Sequence, residues 1–141
     1  MKKNFALIGG DMRQVKMANS LLKDGYGVKV FGFNNIELGD NIPQANTAQE
    51  AIEQANVVVA PLPCSLDNET INAPFYSEKI YINDIFKQMT KNQLFVGGKI
   101  SDKIINLSKV YNIYTVDYFE REELTVLNAI PTAEGAIQIA M

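Results

Sequence analysis

The turn Gly9-Gly10-Asp11-Met12-Arg13-Gln14 carries the chain's clearest chemical possibilities. Two glycines between an apolar run and an amphipathic stretch mark the position where a dinucleotide-binding domain has its Gly-x-Gly-x-x-Gly phosphate turn. Asp11 argues against that use. At a helix N-terminus its carboxylate would occupy the backbone N–H groups that a phosphate needs, and would repel the phosphate itself. The third glycine is also missing, with Gln14 in its vicinity. An N-cap role accounts for Asp11 without any ligand. Arg13 and Gln14, in contrast, would project near the strand ends, where a small polar ligand could reach them. Gly97-Gly98-Lys99, after a later apolar run, reads as a tight turn that also offers flexible backbone and a cation above the same edge. Glu120-Arg121-Glu122-Glu123 follows the last run, and acidic residues in a first helical turn are expected from the macrodipole alone.

What the composition lacks narrows the chemistry further. The chain has no histidine and one cysteine. That removes Ser-His-Asp and Cys-His nucleophiles, His-ligated or Cys-rich metal sites and imidazole acid–base work. No metal is expected. Cys64, between Pro63 and Ser65, has no histidine to activate it and reads as a passive loop cysteine, and a single thiol fits a reducing cytosol. With 13 Lys and Arg against 16 Asp and Glu, the formal charge is −3. Such a balance leaves no electrostatic footprint for nucleic acid or an anionic membrane. No apolar run approaches the roughly 18–20 residues that span a bilayer.

These residues need elements to position them, and short apolar runs alternating with amphipathic stretches supply them. Residues 4–8, 28–33, 57–60, 93–96 and 112–116 read as strands. A helix after the first carries Val15, Ala18, Leu21 and Leu22 on one face. Thr47 with Glu50 forms a capping box for a second that runs to about Gln54, and Ser101-Asp102 caps one with Ile104, Leu107 and Ser108 on a face. The pattern predicts an α/β fold: a flavodoxin-like or Rossmann-like doubly wound parallel sheet of about five strands, with helices on both faces. Ligands of such sheets bind beyond the carboxyl ends of the strands. A receiver domain would need an Asp at the end of the third strand, which here ends Ala60-Pro61. Residues 62–82 are too long for an ordinary loop and predict a flap over the strand ends, with residues 79–82 as a short extra strand. Pro131, flanked by Asn128, Thr132 and Glu134, marks a bend and a candidate hinge, and an apolar periodicity still runs at Met141, as in a helix that has been cut.

Three stretches together resemble a known family: Ala6-Leu7-Ile8-Gly9-Gly10-Asp11-Met12-Arg13-Gln14, Gly97-Gly98-Lys99-Ile100-Ser101, and Phe119 to Glu123 with Asn128-Ala129-Ile130-Pro131-Thr132-Ala133-Glu134-Gly135-Ala136-Ile137. They are similar to the N-terminal domain of the A subunit of dipicolinate synthase. The resemblance implies an enzyme of spore formation, in the mother-cell cytoplasm, that oxidises a dihydrodipicolinate-type precursor to pyridine-2,6-dicarboxylate with NADP or NAD. It implies the flavoprotein-like B subunit of dipicolinate synthase as partner and a second, nucleotide-binding domain. That domain is not in this sequence, so residues 1–141 read as one substrate-side domain that holds no cofactor and is inactive alone, with residues 128–141 starting an inter-domain hinge helix.

On this reading Gly9, Gly10, Asp11, Arg13, Gln14, Gly97, Gly98, Lys99, Glu120 and Arg121 line the substrate site, while Asn128, Pro131, Thr132, Glu134 and Gly135 form the hinge. Arg13, Lys99 and Arg121 would pair with the two carboxylates of the substrate. The catalytic base is not assigned; Asp11, Glu120, Glu134, Lys99 and water are the candidates in this chain. A different class of function stays open, a non-catalytic module that docks a partner protein or a second copy as a homodimer. A stand-alone nucleotide-binding protein is a third reading.

Overall fold

The computed structural model describes residues 3–34, 36, 38 and 42–118. Nine elements alternate along them: β1 (Asn4–Ile8), α1 (Met12–Lys23), β2 (Gly27–Phe31), α2 (Ala48–Ile52), β3 (Val57–Val59), α3 (Ile82–Gln88), β4 (Leu94–Gly97), α4 (Asp102–Val110) and β5 (Tyr114–Asp117). The strands form one sheet in the order β2-β1-β3-β4-β5, and every pairing is parallel. The doubly wound architecture expected from the alternation is therefore present.

Because side chains alternate across a strand, each buried strand feeds two cores. On β1, Phe5 and Leu7 join Val15, Ala18 and Leu21 of α1, whereas Ala6 and Ile8 join Ile52, Ile85, Phe86 and Ile104 of α2, α3 and α4. The α3–β4 contact is an edge-to-face pair, Phe86 on Phe95, with ring centres 4.9 Å apart. Helix starts follow the caps legible in the sequence: Asp11, Thr47 and Ser101 each accept from a backbone N–H of the first turn.

The segment between β3 and α3 differs from the expectation. Residues 79–82 do not make an extra strand; they contribute one antiparallel bridge, Thr70 to Tyr81, and Ile82 already opens α3. The helix forms because Ile82, Ile85 and Phe86 lie on one face and are buried. The rest of the segment is packed down on the sheet. Ile71 and Ile80 are buried, the amide of Ile71 donates to Ile80 O at 2.8 Å, and that of Gly10 donates to Asn72 O at 2.8 Å. Asp67 knots the outer part, accepting from the amides of Glu69 and Thr70 and from the hydroxyls of Ser65 and Thr70. Those amide bonds, Thr70 first, hold its carboxyl below the usual carboxylate range.

The outer side of β2 is occupied as well. Val30 donates to Pro43 O at 3.0 Å and accepts from the amide of Ala45 at 2.9 Å, so residues 43–45 run as a strip along that edge.

Candidate functional site

In the order 2-1-3-4-5 the chain leaves β1 and β3 toward opposite sides, and the crevice between their carboxyl ends is the topological switch point. The turn after β1 and the loop after β3 form its walls.

From the first wall, Asp11 caps α1 by accepting from the amide of Arg13 at 2.9 Å. The same carboxylate takes the guanidinium side-on, Oδ1 to Nε at 3.2 Å and Oδ2 to Nη2 at 3.0 Å. Arg13 lowers the carboxyl of Asp11 below its ordinary value, chiefly through those side-chain bonds. Nη2 also donates to Leu62 O at 2.8 Å, which stretches Arg13 across the crevice. Gln14 points inward: it is buried and its Nε2 donates to Val59 O at 3.3 Å. It supports the end of β3 rather than projecting outward as the sequence suggested.

From the other side, Gly97 ends β4 and Gly98 lies under Leu62; a Cβ on Gly98 would stand 2.8 Å from Leu62 Cβ. Only a residue without a side chain lets the two loops come so close. Lys99 follows in a left-handed conformation, φ +55°. Its amide and that of Ile100 donate to the two oxygens of Asp117 at 3.0 and 2.8 Å, which fixes the turn. The turns after β1 and β4 are thus brought together through Leu62. Glu120, Arg121, Asn128, Pro131, Thr132, Glu134 and Gly135 lie outside the described residues.

Two residues with no place in the sequence reading lie at this end of the sheet. Tyr118 pairs its amide with Gly97 O and reaches past β4, so that its hydroxyl lies 3.4 Å from Ala60 O. Burial first, then the Cys64 thiol, push its ionisation above the usual phenol range, so it is a neutral donor at physiological pH. Asp117 is the other. Both stand at the end of β5, where a fifth strand ending one residue earlier in the expectation left them out.

Cys64 is fully buried beneath this arrangement, its amide bonded to Gly98 O at 2.7 Å. Burial, with Asp117 second, pushes its thiol up to about 12. Iodoacetamide at pH 8 should therefore modify Cys64 in denaturant and leave the native protein untouched. The raised value also sets a sign: below about pH 9 both states keep the proton, and above it the unfolded chain loses a proton that the native chain retains. Stability should then fall as pH rises from about 9 toward 12, by at most roughly 1.4 kcal/mol per unit from this group. Urea titrations at pH 8 and 10.5 measure it. Native-state labelling at pH 8 as fast as in urea would contradict the buried placement.

Among the described residues no three His, Cys, Asp or Glu are grouped to hold a metal ion, and no helix is long and apolar enough to cross a membrane. A nicotinamide dinucleotide does not fit the β1–α1 turn. The amides of Gly9 and Gly10 donate to Phe31 O and Asn72 O, that of Arg13 donates to Asp11, and the Asp11 carboxylate at the start of α1 would repel a pyrophosphate.

A family model for the N-terminal domain of the dipicolinate synthase A subunit matches residues 4–119. The A subunit of dipicolinate synthase from Bacillus subtilis (strain 168) is 23% identical over 139 residues, covering 97% of this chain and 47% of that protein. The crystal structure of dipicolinate synthase, A chain, from Bacillus subtilis superposes with a TM-score of 0.76 at 22% identity, over 99% of this chain and 48% of that one. The NADPH-dependent glyoxylate/hydroxypyruvate reductase of Sinorhizobium meliloti shares the fold, with a TM-score of 0.54 at 12% identity over 79% of this chain and 56% of its own. The chain spans about half the length of the curated relative it matches.

Proposed function

Since the chain belongs to the family of N-terminal domains of the dipicolinate synthase A subunit, we propose that it is the substrate-side domain of an NAD(P)-dependent oxidoreductase that converts a dihydrodipicolinate-type precursor to pyridine-2,6-dicarboxylate. The observation that carries this reading is the Arg13 guanidinium stretched over the switch-point crevice, with Nη2 on Leu62 O. Its Nε–Nη2 edge already holds a carboxylate, that of Asp11, in the paired contact a ligand carboxylate would make. A planar fork of N–H donors matches a carboxylate in two parallel bonds, and the substrate offers two carboxylates.

On this reading Arg13 orients one carboxylate, and Lys99 and Arg121 are the cations assigned to the other. Tyr118, whose one hydroxyl proton points to Ala60 O, adds a neutral acceptor at the rim of the crevice. The dinucleotide, which accepts hydride, belongs to the part of the enzyme that this chain does not span, because at the β1–α1 turn the amides of Gly9, Gly10 and Arg13 are engaged and the Asp11 carboxylate repels a phosphate. The catalytic base stays among Asp11, Lys99, Glu120, Glu134 and water, or beyond this chain. The flavoprotein-like B subunit of dipicolinate synthase as partner and a role in spore formation in the mother-cell cytoplasm complete the proposal.

Arg13→Ala in the full-length enzyme should raise the KM for substrate about tenfold or more, the loss of a charge-assisted bidentate contact. An unchanged KM would take Arg13 out of the site. A docking module is the second reading, favoured by the exposure of Val110 (74%) and Tyr114 (69%) at the β5 side of the sheet. Loss of partner association in Tyr114→Glu, with kinetics untouched by Arg13→Ala, would favour it.

A further inference from the structure

We infer that Asp11 is a built-in surrogate for the ligand's carboxylate: it occupies the binding edge of Arg13 when the site is empty and is displaced when an anionic ligand enters. The inference rests on the proposed assignment of Arg13 to the substrate site.

Capping α1 needs only one acceptor, the Oδ1 that takes the Arg13 amide at 2.9 Å. Asn or Ser at that position would cap as well as Asp. The negative charge suits the positive end of the helix dipole, but the second oxygen is not needed for the cap, and the carboxylate also grips the guanidinium: Oδ1 at 3.2 Å from Nε and Oδ2 at 3.0 Å from Nη2. That is the paired, side-on contact by which an incoming carboxylate would be held. The two side chains are 44% and 64% exposed, and ion pairs so open to water are held weakly enough to exchange.

Exchange does not cost the arginine its aim. Nη2 keeps Leu62 O at 2.8 Å, a bond from the β3 loop that is independent of Asp11. Asp11 in turn can keep the Arg13 amide and remain a cap after releasing the guanidinium. The empty site is thus already shaped around a carboxylate, and a ligand must outcompete one that is tethered beside it.

The test is calorimetric titration of the full-length protein with pyridine-2,6-dicarboxylate. Asp11→Asn and Asp11→Ser keep a cap and remove the competitor, so both should tighten binding by about two- to fivefold, the range of an exposed ion pair. Arg13→Ala should weaken it by about tenfold or more. In the Arg13→Ala background, Asp11→Asn should bring no gain. A gain that survives there is mere relief of repulsion and overturns the surrogate. Unchanged or weaker binding in both Asp11 variants, with Arg13→Ala still weakened, also overturns it and leaves the substrate-site reading intact. Undiminished binding in Arg13→Ala defeats that reading and the surrogate with it. Thermal unfolding of each variant checks that the α1 cap survives.

Discussion

Gly10→Ala is expected to lower the unfolding free energy by about 3 kcal/mol or more, as a fall in the urea midpoint with little change in slope. Two costs combine. Gly10 has φ +99°, a conformation that charges an L side chain roughly 1–2 kcal/mol. A methyl group there would stand 3.0 Å from Pro61 Cβ and would run into Gln14, whose Nε2 is anchored on Val59 O. Overpacking of that kind costs roughly 1–3 kcal/mol. The control is Gly25→Ala. Gly25 has a similar φ of +93° with nothing within 4 Å of its missing Cβ, so only the backbone cost applies. A Gly10 effect no larger than that of Gly25 would mean that the two loops are not packed at the switch point as described.

Gln93→Leu should cost a comparable amount, about 3 kcal/mol. Gln93 is buried, and its Nε2 donates to Ile52 O at 2.7 Å and Ala55 O at 2.8 Å while its Oε1 accepts from the amide of Thr90 at 2.9 Å. It closes the end of α2, a helix of five residues whose last carbonyls have no partner within the helix. Leucine fills the space and leaves the Ala55 carbonyl and the Thr90 amide without their partner and Ile52 O with the Ala55 amide alone, each lost bond worth roughly 1–3 kcal/mol where no water replaces it. Gln93→Glu sharpens the test. A carboxylate facing two carbonyls is disfavoured and its pKa rises, so that variant should lose more stability at pH 8 than at pH 5. Equal stability of Gln93→Leu and the parent chain would place Gln93 in solvent.

The strands were legible because their signals are local. Val57-Val58-Val59 is apolar on both faces and stopped by Pro61, and Asn4 to Ile8 is stopped by Gly9, so even the parallel sheet follows from the runs and their breaks. The helix α3 was not read, because its apolar face is carried by only Ile82, Ile85 and Phe86 inside a long stretch that looks like a loop. At the site, the cap role of Asp11 and the tight turn at Gly97-Gly98 were readable. What Arg13, Gln14 and Tyr118 do was not. Their partners are Leu62 O, Val59 O and Ala60 O, backbone atoms 49, 45 and 58 residues away that only the fold brings near. Backbone carbonyls carry no residue type, so composition and spacing hold no trace of such contacts.

The strip at residues 43–45 bears on how the chain behaves in crowded solution. A sheet edge is a template onto which another extended chain can zip, and such recruitment seeds aggregates during synthesis and at high concentration. At Val30 both ladder groups are already taken by the carbonyl of Pro43 and the amide of Ala45, so a newcomer cannot pair with β2 there. Growth of the sheet past β2 is blunted there by the chain's own backbone, with no charged residue needed for the purpose.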